Sequence, residues 1–434
     1  MKVHFLGIGG SGASAAAALA KAQGFEITGC DLEPNNEFTT QFKSSHLLKG
    51  HSPKHLNVHP GGGHSNIDIL AITPAITSLD PNNPELLEAK KLGIPVLTWQ
   101  QFTGEYLTKD KFVIAVCGTH GKTTTTAMIA QMLEDANLDP TVLLGAIHPK
   151  WKTNYRTGES KYFVVEADEF NDNFLHFKPN ITVVTNIEMD HPEYFKDINA
   201  YLGSFEKFLL QSKQTIAANL LDKNVAEIVK DVMKHSSVSA LDFNKIEVEF
   251  NLKIPGEYNI SNAKAAFQVG LLLGIDPEII RNSLNNYNGV GRRFEYLGEY
   301  HGAKVYSDFG HHPTEIKKTM EAAREKFPNQ KIWFFYQPHM FSRTKALFSD
   351  FVKVFKNLPV EGIVILDIYP SREIDIGLVS SQELVKAIGK NNVYFAKELK
   401  RQEFEQYAKP GDILFFMGAG DIDKMARGLV NPQD

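Results

Sequence analysis

Residues 113–126 read VIAVCGTHGKTTTT: an apolar, β-branched run, a loop bounded by Gly118 and Gly121, and a Lys-Thr pair. The chain continues as AMIAQMLEDA, whose apolar residues recur three and four apart. This order predicts a buried strand, a phosphate loop and a helix. Two glycines let the backbone N–H groups of Thr119 and His120 approach a phosphate, and the helix start adds its positive dipole end. Lys122 would neutralise the β- and γ-phosphates, Thr123 would offer its hydroxyl to Mg²⁺, and Thr124 extends the cradle. The full GxxxxGK[ST] spacing would need glycine at 116, where the chain has Val116; the motif is the shorter G-T-x-G-K-T. A nucleoside triphosphate, ATP or GTP, is the expected ligand.

Working outward, 434 residues exceed what one core organises, and about three domains are expected. Hydrophobic residues make up 43% and charged residues 22%, as in ordinary globular chains. A net charge of −5 excludes a protein built to coat nucleic acid or an anionic membrane. Two cysteines, Cys30 and Cys117, are too few for a disulfide framework or a structural zinc site, and a reducing cytoplasm is the expected compartment. Lys2, an apolar run and the alanines of 13–20 imitate a signal peptide. GIGGSG interrupts that run, and no stretch reaches the ~18 apolar residues of a membrane span. Neither export nor a membrane segment is expected.

KVHFL (2–6) reads as a first strand, followed by Gly7-Ile8-Gly9-Gly10-Ser11-Gly12 and an alanine-rich helix. FEITGCD then ends in Asp31. Glycines at this spacing admit a pyrophosphate to a helix N-terminus, and Asp31 would meet a ribose hydroxyl. Any nucleotide diphosphate satisfies the same physics, a UDP-sugar as well as NAD, and a ligand-free structural turn has the same spacing. Alternating strands and helices make residues 1–107 a Rossmann-like α/β domain.

Residues 108–290 form the predicted central α/β domain. One strand ends in Glu166-Ala167-Asp168-Glu169, another in Asn186-Ile187-Glu188-Met189-Asp190-His191. Open α/β sheets bind ligands beyond such strand ends, and hard oxygens plus an imidazole suit Mg²⁺ on substrate phosphates. Asn259 and Asn262 stand at a predicted helix start, where capping competes with reading a base. GVGRRF (289–294) reads as a linker, Arg292 and Arg293 being either a solvated turn or a charged contact. Residues 291–434 alternate strand and helix again, with Asp308, His311, His312, His339 and Arg343 at strand ends.

GIGGSG, GTHGKTTTT, EADE, TNIEMDHP, GEYNISNA, GRRF, DFGHHPTE and QPHMFSRT occur in the order seen in the Mur ligase family, which the chain resembles over essentially its whole length. The resemblance implies three α/β domains: a Rossmann-like UDP-binding domain, a P-loop ATPase-like centre and a Rossmann-like C-terminal domain. It implies an ATP- and Mg²⁺-dependent amide synthetase of peptidoglycan precursor assembly. The substrates would be UDP-N-acetylmuramate and L-alanine, and a cytoplasmic monomer or weak homodimer is expected. Lys122 matches the family's phosphate-loop lysine; Thr123, Glu166 and His191 match metal ligands. Asn259 and Asn262 match residues approaching adenine, and the resemblance favours that role over capping. Arg293 and Asp308 match residues placed on ATP, and His312, His339 and Arg343 an amino-acid rim. The implied chemistry is an acyl phosphate formed on the lactyl carboxylate, then attacked by the amine while domain closure excludes water.

Two positions depart from the pattern. Met340 stands where many alanine-adding members have arginine, and Lys207 lies near the distance of a carbamylated lysine in other members, though a surface role suits it better. An acidic-aromatic run near EADEF partly fits the members that attach a tripeptide to UDP-N-acetylmuramate, whereas QPHMFSRT favours single alanine addition. A nicotinamide-dependent redox protein or a nucleotide sensor would need GxGxxG and Asp31 alone, and leaves the second phosphate loop without purpose.

Overall fold

The computed structural model describes residues 1–56 and 67–431, with Ser78 described in its backbone alone. Strand-forming runs assemble three separate sheets. The first contains β1 (Lys2–Leu6), β2 (Glu26–Asp31), β3 (Leu47–Lys49), β4 (Ile69–Ile72) and β5 (Val96–Thr98), all parallel, in the order β3-β2-β1-β4-β5. The order reverses at β1, and the Gly7–Gly12 loop leaves from its carboxyl end, where doubly wound sheets open a crevice. Leu6, Cys30, Leu70 and Ile72 pack with Leu56 and Leu86 into its core.

The second sheet contains β6 (Phe112–Cys117), β7 (Thr141–His148), β8 (Thr153–Arg156), β9 (Tyr162–Glu166), β10 (Ile181–Val184), β11 (Thr215–Ala218) and β12 (Ser239–Asp242), in the order β12-β11-β10-β6-β9-β7-β8. Its strands are parallel except β8, which runs against β7. Parallel strands covered on both faces need unbroken apolar runs, and Val113, Ile114, Ala115, Val116 and Cys117 are all buried. β9 and β10 flank β6, so Glu166 at the end of β9 and Asn186 after β10 lie beside the phosphate loop. The helix expected to follow that loop begins earlier than its apolar pattern suggests. It spans Lys122–Asp135, taking in the threonine run, whose Thr123–Thr126 are buried.

The third sheet contains β13 (Glu295–Tyr300), β14 (Ala303–Asp308), β15 (Ile332–Tyr336), β16 (Gly362–Leu366), β17 (Val393–Ala396) and β18 (Ile413–Met417), in the order β13-β14-β18-β15-β16-β17. It is parallel apart from the β13–β14 hairpin. One face packs Ile316, Met320, Phe334 and Phe415, the other Phe335, Leu414, Phe416 and Ile422.

The chain divides into two compact units. One comprises Met1–Ile187, Leu202–Val248 and Lys264–Ser283, and so holds the first two sheets. The other comprises Glu188–Tyr201, Glu249–Ala263 and the chain from Leu284, and holds the third. Residues 188–191 and both Asn259 and Asn262, expected in the central domain, therefore belong to the second unit. Among the described residues no helix is long and apolar enough to cross a membrane.

Candidate functional site

In the first unit the phosphate loop is held open by its neighbour strand. Gly118 has φ +130° and Gly121 φ +82°, both in the region that disfavours side chains. The Thr119 N–H donates to Asn186 O and the His120 N–H to Asn186 Oδ1, each at 2.9 Å. Thr185 Oγ1 and Asn186 Nδ2 donate in return to His120 O, at 2.6 and 2.9 Å. The Thr-Asn pair after β10 thus fixes the loop's shape and takes the two N–H groups, of Thr119 and His120, that were expected on a phosphate. A Cβ on Gly118 would meet Thr185 Oγ1 as well as adopt a strained φ. Gly118→Ala is therefore expected to cost about 1–3 kcal/mol in urea unfolding and to lose binding of a fluorescent ATP analogue, whereas Gly203→Ala, mid-helix with nothing near its Cβ position, is expected to keep that binding and to add up to about 1 kcal/mol of stability.

Lys122 Nζ donates to Gly118 O at 2.6 Å and Thr119 O at 3.1 Å, and pairs with the fully buried Glu169 at 2.8 Å. Burial alone would lower the Lys122 pKa, but the charges of Glu169, Asp168 and Glu166 outweigh it and raise it, so the ammonium is kept. Thr123 Oγ1 donates to Glu166 Oε1 at 2.8 Å, and the Gly145 N–H holds Glu166 Oε2 at 2.7 Å. Adjacent oxygens of an octahedral Mg²⁺ site stand about 3 Å apart when each lies ~2.1 Å from the ion, so this pair fits two neighbouring ligand positions. Gly145 has no room for a side chain, since a Cβ would sit 2.7 Å from Glu166 Oε2. Thr124 is buried in the helix's first turn.

At the N-terminal loop, the Gly7 and Ile8 N–H groups donate to Cys30 O, and Gly10 caps the helix Ser11–Ala22. Asp31 accepts from the Gly9 N–H at 2.9 Å and the Glu33 N–H at 3.1 Å. Its carboxylate shapes the loop, beyond the ribose contact expected of it. Gly12 lies against the Trp99 ring, leaving no space for a side chain.

In the second unit Arg343, 2% exposed, donates from Nε to Asp190 Oδ1 at 3.0 Å, and its Nη1 lies 3.2 Å from His339 Nδ1. A guanidinium only donates, so His339 Nδ1 accepts and the ring is neutral. Asp190 also faces His311 and His191, each with Nε2 3.9 Å from its Oδ2. His191, at φ +56°, places Nδ1 3.2 Å from Glu193, which also pairs with Arg372. Burial first, then the Arg343 charge, depress His311 to about 3, against the pull of Glu315 and Asp190. Burial, His311, Arg343 and Arg372 depress His339 to about 2, against Glu193. Both rings take a proton near 6.5 once unfolded. Between about 6.5 and 3 the unfolded chain therefore binds more protons, and stability falls with acid. Unfolding free energies from urea titrations are expected to drop as pH falls from 7 to 5, by on the order of 1 kcal/mol per pH unit, and a double His311→Gln, His339→Gln chain is expected to flatten that slope.

His312 caps the helix Pro313–Lys326, its Nδ1 accepting the Thr314 N–H at 3.3 Å while Glu315 accepts the His312 N–H at 3.1 Å. Thr314 Oγ1 donates to Glu188 at 2.8 Å. Asp308 accepts the Phe294 and Gly310 N–H groups at 2.8 and 2.7 Å; burial raises its pKa, opposed by Arg293 and these N–H groups. Arg292 donates to Gly418 O and Gly420 O, and both Arg292 and Arg293 lie over the Phe309 ring. GRRF is thus an anchored turn, and Arg293 has Glu315 at 4.0 Å. Asn259 and Asn262 lie within the helix Glu257–Leu272, with Asn259 Nδ2 donating to Pro255 O and Asn262 Nδ2 to Asn259 Oδ1. Neither contact is an N-cap acceptor. Met340 is buried at φ +72° before the helix Phe341–Ala346, with Sδ 4.0 Å from Arg343 Nη1. Lys207 is exposed on the helix Ile198–Leu209.

Three family models match in chain order: "Mur ligase family, catalytic domain" over residues 2–111, "Mur ligase middle domain" over 116–245, and "Mur ligase, glutamate ligase domain" over 292–420. A UDP-N-acetylmuramate–L-alanine ligase of Alkaliphilus metalliredigens is 36% identical, across 99% of this chain and 96% of the relative. The crystal structure of a UDP-N-acetylmuramate–alanine ligase from Thermotoga maritima superposes with a TM-score of 0.78 at 28% identity, covering 100% of this chain and 99% of that one. A murein peptide ligase from Psychrobacter arcticus shares the fold, with a TM-score of 0.71 at 21% identity over 99% and 98% of the two chains.

Proposed function

Because the chain belongs to the Mur ligase family, we propose that it joins L-alanine to the lactyl carboxylate of UDP-N-acetylmuramate, converting ATP to ADP and phosphate. The observation that carries the ATP half is the contact of Thr123 with Glu166 one residue from the phosphate-loop ammonium of Lys122. The alanine half rests on the full-length similarity to a UDP-N-acetylmuramate–L-alanine ligase. In this reading residues 1–107 hold the UDP moiety, 108–290 the ATP and 291–434 the amino acid.

A carboxylate is a poor acyl donor at neutral pH, so the lactyl carboxylate attacks the γ-phosphate, the bond to the bridging oxygen breaks, ADP leaves and an acyl phosphate forms. The negative charge that spreads over the transferring oxygens is met by Lys122 and by the N–H groups of the helix start. Glu169 holds the Lys122 ammonium in place until phosphate oxygens compete for it. Thr123 and Glu166 would hold Mg²⁺, which when bound supplies charge neutralisation on the phosphates. The neutral amine of alanine then attacks the activated carbonyl, the C–O bond to phosphate breaks, and the nitrogen's proton departs with the leaving phosphate.

Phosphate release is measured with ATP, Mg²⁺ and UDP-N-acetylmuramate, supplying L-alanine, L-serine, glycine or the L-Ala-γ-D-Glu-diaminopimelate tripeptide one at a time. Release that depends on L-alanine is the expected result. Turnover with the tripeptide alone would transfer the assignment to the peptide-adding ligases, and turnover with none would reject both.

A further inference from the structure

We propose that His4, Cys30, His55 and Glu85 form a structural zinc site beneath the N-terminal loop. Four donors converge from three elements and a loop: His4 on β1, Cys30 on β2, His55 in the turn Pro53–Leu56 and Glu85 on the helix Pro84–Leu92. Cys30 Sγ lies 3.2 and 3.3 Å from the two Glu85 oxygens, His4 Nε2 lies 3.2 Å from Glu85 Oε2, and His55 Nδ1 lies 2.8 Å from Glu85 Oε1. All four donor atoms fall within 4.8 Å of one another. The edges of a zinc tetrahedron with bonds of ~2.0–2.3 Å are about 3.3–3.8 Å, so modest adjustment seats an ion.

A donor set of one sulfur, two imidazoles and one carboxylate suits zinc. Zn²⁺ displaces the Cys30 proton to solvent, and thiolate, carboxylate and dication then sum to zero charge inside an apolar shell of Leu6, Leu56, Leu70 and Leu86. The supporting contacts are in place. His4 Nδ1 is fixed by Thr28 Oγ1 at 2.8 Å, Glu85 Oε1 accepts the Ser52 N–H at 2.7 Å, and His51 Nδ1 lies 3.4 Å from Cys30 Sγ. The His55 side chain is 16% exposed and offers an entry path. Because Cys30 O accepts the Gly7 and Ile8 N–H groups, an ion here would brace the glycine loop. Counting two cysteines excluded zinc from the sequence; the count missed the site because three of its donors are not cysteines and none is near another in sequence.

The full-length chain, stripped with chelator and free of nucleotide, is titrated with Co²⁺ alone and then Zn²⁺ alone. One equivalent of Co²⁺ is expected to give thiolate-to-cobalt charge transfer with the strong visible bands of a tetrahedral ion, and Zn²⁺ to bleach both. Cys30→Ser is expected to remove the charge transfer, and His55→Ala to weaken Zn²⁺ binding about tenfold or more. A wild-type chain that develops no charge-transfer band, or a Cys30→Ser chain that keeps it, overturns the proposal. The wild-type titration needs no variant to fold, and neither outcome bears on the ligase reading, since no substrate is present.

Discussion

Lys122→Ala is expected to lower ATP-dependent phosphate release by on the order of 10³-fold or more and, separately, to destabilise the fold. The first effect follows from position: the ammonium sits on Gly118 O and Thr119 O, at the lip of the loop where phosphate charge would develop. The second follows from its partner. Glu169 has no exposed side-chain surface, and removing Lys122 takes away the ammonium 2.8 Å from that buried carboxylate. Breaking a buried pair from one side costs about 3–5 kcal/mol. Adding Glu169→Gln to Lys122→Ala should therefore recover most of the stability in urea unfolding and none of the turnover. Full turnover by the single variant would reject Lys122 as the phosphate lysine, and unchanged stability would reject the buried-pair argument.

Arg343→Ala is expected to destabilise the second unit by a similar amount, about 3–5 kcal/mol. Arg343 is 2% exposed and Asp190 7%, and they meet at 3.0 Å. Burial on its own would raise the Asp190 pKa, but His191, Arg343, His311 and His312 hold it well below the usual carboxylate range. A depressed carboxylate stabilises the folded chain above its unfolded value and loses that contribution as pH falls. The gap between wild type and Arg343→Ala should thus narrow below about pH 4, near the unfolded aspartate value. Arg343→Lys should not restore stability, because a point charge cannot reach Asp190 and His339 together as the guanidinium fork does. The amino-acid role makes a different demand. If Arg343 meets the incoming amino acid, a double Arg343→Ala, Asp190→Ala chain that regains stability will still show a raised KM for L-alanine; an unchanged KM assigns the arginine to scaffolding.

The local units are legible in the residues alone. Strand, glycine loop and helix are encoded within about fifteen residues, where hydrophobic period and φ tolerance act without help from distant chain. That is why residues 113–126 could be read as a phosphate loop, why residues 7–12 could be read as a glycine turn between strand and helix, and why the strand-end position of Glu166 was legible. The tertiary structure decided what each side chain faces. Lys122 finds Glu169 47 residues away, and Arg343 finds Asp190 153 residues away. Those pairings depend on strand order, which sets β9 and β10 on either side of β6, and on the packing that groups residues 188–201 with the third sheet. His312 and Asp308 show what geometry adds: their side chains accept backbone N–H groups of their own unit, contacts that residue type alone does not announce. A titratable side chain reads the same in sequence whether it faces substrate or caps a helix, because the difference lies in geometry that no local pattern contains.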